Sequence, residues 1–217
     1  MHGGDLGVLG QLHGSTAVHM TRVGGAYVGN EVARVDKFWC DLVDSYAATG
    51  ITKRLQTLTV DMIKGTGTYP CLKTKASEAR HLIKPIMHLL EKKGRNGDID
   101  KHLLRAYKHI DCVYDRVLAM PMVPSDEEAE YVLQEYDNFL LHYNHIATSC
   151  MGAGVFNFNM TTKFHELWHI LYLGRFLSPR MVWCYSFEDF IGKIKRSAQA
   201  CVCGTPMQKI PEKVVDN

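Results

Sequence analysis

The segment His165-Glu166-Leu167-Trp168-His169 has the residue types and spacing that most directly imply chemistry in this chain. On a helix, histidines four apart share a face and can hold one zinc ion, and the glutamate between them can act as general base on a metal-bound water. Glu188, with eighteen residues between it and His169, is the candidate third ligand. The competing reading is structural. Phe164, Trp168, Leu171 and Tyr172 surround the pair, so His165 and His169 can equally be packed core residues.

Other side chains suited to chemistry are more scattered. His102, His109, His142 and His145 fall on two long helical patterns. His142 and His145 are three apart, a spacing that permits a metal, but no carboxylate partner is evident from the sequence, so ordinary helix residues are expected. The seven cysteines are widely spaced and odd in number, and Cys201-Val202-Cys203 does not have the spacing of a zinc knuckle. They read as thiols of a reducing compartment, mostly buried.

The elements that must position these groups read as helices. The 217 residues are 46% hydrophobic and 22% charged, ordinary globular usage that argues against a disordered chain or a disulfide-stapled mini-protein. No apolar run is long enough for a membrane span, and Met1-His2-Gly3-Gly4-Asp5 lacks the basic-then-apolar form of a secretory signal. The net charge of +2 hides blocks of opposite sign. Residues 73–108 carry ten Lys or Arg against four acids, whereas 109–140 carry one Arg against eight. Such blocks can steer a polyanion or attract each other.

Eight glycines among the first thirty residues predict loops and short elements there. A helix is expected from Asn30, as cap, to Ala48, stopped by Gly50. Residues 57–63 form a short apolar run of either type. Lys75 to Lys93 reads as helix, kinked or restarted at Pro85. The next helix should be capped by Asp98 or Asp100, with a stripe of Leu103, Leu104, Tyr107, Ile110, Tyr114, Val117 and Leu118. Ser125 and Glu128 form a capping box for a helix with the stripe Val132, Tyr136, Phe139, Leu140, Tyr143 and Ile146. Two long helices joined by a short Pro-bounded turn should pack antiparallel. Met160 to Phe176 is apolar almost all round and is expected to be buried. Ser186 is expected to cap a last helix reaching about Gln199, followed by an irregular tail.

Longer strings carry a family resemblance. Lys163 to His169 is followed by Ser178-Pro179-Arg180, by Trp183-Cys184-Tyr185-Ser186-Phe187-Glu188-Asp189-Phe190, and by Lys193-Ile194-Lys195-Arg196. This resembles the C-terminal signature of CACTA (En/Spm)-type DDE transposases, in which K-x-H-x-L-x-H precedes W-x-Y-x-F-E and a basic helix. Tyr69 to Arg80 is similar to a further stretch of that family. His2 to Leu9, with His13-Gly14-Ser15 after it, resembles the segment around the second catalytic Asp. The three pieces occur in the family's order.

The resemblance implies an RNase H-like core with a helical insertion, in which carboxylates hold two Mg²⁺ ions for attack on a phosphodiester. By position, Asp5 matches the second acid and Glu188 the third. His165 and His169 match site-ordering histidines, and Lys193, Lys195 and Arg196 would contact DNA phosphates. Only four residues precede Asp5, so the first catalytic Asp is expected outside this chain. The missing portion, or a second copy, would be a partner, and a nuclear or otherwise intracellular setting is expected.

The expected fold is therefore mainly α, with a long antiparallel helix pair and an incomplete RNase H-like core. Its parts would be a Gly-rich remnant at 1–29, a helical domain at 30–203 and a tail at 204–217. The leading function is a transposase-derived, DNA-associated fragment that is catalytically incomplete alone. The alternatives are a zinc peptidase with the His165, His169 and Glu188 spacing of the gluzincins and Glu166 as base, and a helical scaffold without an active site.

Overall fold

A computed structural model describes residues 3–23, 25–64, 69–94, 97–182 and 194. By contact the chain divides into two units, 1–181 and 182–217, and the helices described below belong to the first. The architecture is mainly α, with no strand among the described residues. Glu188, Lys193, Lys195, Arg196 and the expected last helix and tail lie outside those residues.

Helix α1 (Gly10–Val18) is extended at both ends by π-helical turns, Gly3–Leu9 and His19–Val23. It is the central element, buried along nearly its whole length. This overturns the expectation of loops. The glycines do not break the chain; they let other backbones approach it. A Cβ on Gly14 would lie 2.6 Å from the Leu72 backbone nitrogen, and one on Gly7 would lie 2.8 Å from Lys163 Cβ. That fit offsets the cost of glycine in a helix, roughly 1 kcal/mol relative to alanine.

Around α1 stand α2 (Glu31–Ala48), α3 (Val60–Lys64), α4 (Ala76–His81) and α5 (Ile83–Lys93). The Asn30 side chain caps α2 by accepting from Ala33 N at 2.9 Å, and Gly50, at φ +67°, turns the chain away after it. The expected helix over 75–93 restarts at Leu82. Pro85 is then the third residue of α5, where a missing N–H removes no intrahelical bond.

Helices α6 (Asp98–Ala119) and α7 (Asp126–Gly152) share the most extensive helix–helix interface. Asp98 meets His145, His102 meets His142, and His109 meets Glu135, so partner numbers fall as the first rises and the pair is antiparallel. The Ser125 hydroxyl accepts from Glu128 N while the Glu128 carboxylate accepts from Ser125 N, completing the capping box. Gly97 holds the cap position of α6 instead of an aspartate. Asp98 and Asp100 lie in the first turn and bond to histidines instead, Asp100 to His19 at 2.8 Å.

Fully buried tyrosines tie the layers together through their hydroxyls. Tyr136 donates to Phe164 O at 2.9 Å and Tyr143 donates to Asn159 O at 3.1 Å. The charge blocks partly neutralise one another: Lys84 of α5 reaches Asp115 at 3.0 Å and Asp111 at 3.8 Å on α6.

Helix α8 (Thr162–Leu173) lies against α7 and the Gly3–Leu9 turn. It buries only Phe164, Leu167 and Leu171, so the expectation of a wholly buried helix is corrected. Three residues at i, i+3 and i+7 suffice for one face, and Tyr172 and Leu173 remain exposed. Of the four described cysteines only Cys150 is buried, and Cys40 is exposed. No described helix is long and apolar enough to cross a membrane.

Candidate functional site

Asp5 sits in the π-helical turn that opens the central helix and is fully buried. Its Oδ1 accepts from the Tyr114 hydroxyl at 2.7 Å. Burial, and then the Asp5 charge, pushes the Tyr114 hydroxyl well above its ordinary value, so it stays a donor.

The segments around this turn come from distant parts of the chain. Leu72 N donates to Gly10 O at 2.8 Å, and Gly14 presses on the Cys71–Leu72 backbone. His13 Nε2 donates to Ala79 O at 2.8 Å. Gly7 presses on Lys163 and Gly4 on Leu167, both of α8. The turn bearing Asp5, the segment 71–80 and the helix bearing His165 and His169 therefore pack as one cluster. A groove beside it is lined by Leu6, Cys71–Lys75 and Glu78, with Lys73 and Lys75 exposed.

His165 and His169 are both exposed, which corrects the packed-core reading: the buried face of α8 is the one bearing Phe164, Leu167 and Leu171. Their Nε2 atoms are 2.9 Å apart. At that separation either one imidazole donates to the other, or both lone pairs turn toward a shared cation. Glu166 forms an ion pair with Lys163 at 2.7 Å. The third group of either reading, Glu188, lies outside the described residues.

A second cluster runs along the α6–α7 seam. His145 Nε2 lies 2.8 Å from Asp98 Oδ2, and His102 Nε2 lies 3.8 Å from Asp98 Oδ1. On its other side, His102 Nδ1 is 3.0 Å from His142 Nδ1. The His142 ring stacks on His109, which bonds to Glu135 at 2.8 Å. Burial, and then neighbouring imidazolium charge, lowers the pKa of both His102 and His142, favouring the neutral form. The His145 hydrogen bond lowers that of Asp98. The sequence pattern marks these histidines but not their carboxylate. Asp98 begins α6 and His145 lies near the end of α7, so the antiparallel register is the signal that joins them.

No family model, curated protein or solved structure matches this chain. The functional reading therefore starts from the cluster around Asp5 and α8.

Proposed function

We propose that this chain is a transposase-derived, DNA-associated protein of the CACTA type that does not itself cut or join DNA. One observation carries the reading. The described parts of the segments that resemble that family, which are the turn Gly3–Leu9, residues 71–80 and helix α8, pack together although they are far apart in the chain. A shared ancestral domain accounts for both their order and their proximity.

The state of Asp5 supports the inactive half of the proposal. Two-metal phosphoryl chemistry needs carboxylates open to cations and phosphate. Asp5 is fully buried and bonded to Tyr114 of α6, which does not fit a Mg²⁺ pair. Association with DNA would then rest on exposed cations. Lys73 and Lys75 in the adjoining groove join Lys193, Lys195 and Arg196 of the family pattern as candidates for phosphate contact. Incubated with supercoiled plasmid and Mg²⁺ or Mn²⁺, the purified chain is expected to leave the plasmid intact. Metal-dependent nicking that is lost in Asp5→Asn would show that the acid is catalytic and refute this half.

The zinc-peptidase reading keeps one specific support, the 2.9 Å approach of His165 and His169 Nε2. It requires Glu166 to leave Lys163 and Glu188 to close the ligand set. It also requires a bound zinc ion that is lost specifically in His165→Ala.

A further inference from the structure

The histidines between α6 and α7 are used by neither reading. We infer that Asp98, His102 and His145 form a binding site for a first-row divalent transition-metal ion such as zinc, with His142 positioning His102.

The ligand atoms of this trio lie within 4.8 Å of one another, and it is the one such trio among the described residues. Four-coordinate zinc with imidazole and carboxylate ligands needs bonds of about 2.0–2.2 Å, hence ligand atoms roughly 3.4 Å apart. The existing separations are therefore within roughly 1.5 Å of the required ones. Asp98 and His145 are exposed and His102 is half-buried. The His102 and His145 rings lie side by side at 3.9 Å, and rotation about χ2, which is soft for imidazole, would tilt them out of parallel to turn both nitrogens toward one ion. Two neutral imidazoles and one carboxylate suit a borderline dication better than Mg²⁺ or Ca²⁺, which prefer all-oxygen shells.

Proton placement explains His142. If His102 ligates through Nε2, its proton resides on Nδ1, and the acceptor 3.0 Å away is His142 Nδ1. The His142 imidazole would thus take the place of the carboxylate, carbonyl or water that ordinarily accepts from a ligating histidine, fixing the tautomer. The His109–Glu135 pair then backs His142 through ring stacking at 5.4 Å. Solvent would complete the coordination. Because Asp98 opens α6 and His145 lies about two turns from the end of α7, the ion would staple the open ends of the hairpin.

The test uses the full-length chain without a histidine tag, stripped of metal, in a His165→Ala/His169→Ala background that removes the α8 pair. Calorimetric titration with Zn²⁺ is expected to give one site per chain and a higher thermal midpoint. Co²⁺ should give the visible absorption of a four-coordinate site. Asp98→Asn, His102→Ala and His145→Gln should each weaken zinc at least tenfold and abolish the zinc-induced rise in melting temperature. His142→Ala should weaken it about 10- to 100-fold, and His142→Asn, which retains an acceptor, should recover most of that loss. Absence of zinc uptake in this background, or uptake at unchanged affinity in His102→Ala/His145→Gln, overturns the site.

Discussion

Replacing Gly14 with alanine is expected to destabilise the protein by about 3 kcal/mol, although alanine is the better helix former by roughly 1 kcal/mol. The new Cβ would stand 2.6 Å from Leu72 N and 2.8 Å from both Cys71 C and Cα. These are backbone atoms, so no rotamer change relieves the overlap. The Leu72 N–Gly10 O hydrogen bond on the same face holds the two segments together. Gly152, at the end of α7, is the control, because a Cβ there meets nothing within 4 Å. Gly152→Ala should be neutral or slightly stabilising, by a few tenths to about 1 kcal/mol. Urea unfolding of both variants measures the contrast. Equal effects at the two positions would mean that the N-terminal helix is not wedged against residues 71–72.

Acid is expected to weaken the fold through His13. Its imidazole is fully buried and its pKa is lowered from 6.5 to about 4, chiefly by burial, with the Ala79 hydrogen bond partly opposing the shift. The neutral ring donates through Nε2 to Ala79 O, which leaves Nδ1 to accept the Tyr107 hydroxyl 2.9 Å away. Between pH 6.5 and 4 the unfolded chain binds a proton that the folded chain excludes. Stability therefore falls as pH drops through that window, by roughly 3 kcal/mol in all. Asp111 acts in the opposite sense. Burial, and then Asp115, raises its pKa to about 6, so it gains stability as pH falls toward its unfolded value. Comparing the wild type with His13→Gln cancels that contribution. The stability advantage of the wild type over His13→Gln should shrink by roughly 3 kcal/mol from pH 7 to pH 4. An advantage constant across that range would mean that His13 titrates normally.

Helix ends and stripes are largely legible in the sequence because they depend on local chemistry. Asn30, Gly50 and the Ser125–Glu128 box act within a few residues of themselves, and the apolar stripes of α6 and α7 are buried nearly as their spacing predicts. The Gly-rich start is not legible, because glycine spacing alone does not distinguish a turn from a helix that others approach closely. Only the partner backbone at Cys71–Leu72 makes that distinction. The burial of α8 is overestimated from sequence for a related reason, since composition reports how apolar a helix is and not how many neighbours it has. The site is legible in part. His165 and His169 share an exposed face, as their spacing requires. Asp98 has the position and chemistry of a cap for α6, whereas its side chain reaches across the hairpin to His145.

The proposed function starts from the packing of the Asp5 turn, residues 71–80 and α8, and DNA association is the part of that proposal a solution measurement reaches most directly. Fluorescence anisotropy of a labelled duplex, titrated with the purified chain at several salt concentrations, provides it. The expected result is binding whose log affinity falls linearly with log salt, with a slope reduced by about 2 in Lys73→Ala/Lys75→Ala. No binding at low salt, or binding that salt leaves unchanged, would contradict the account.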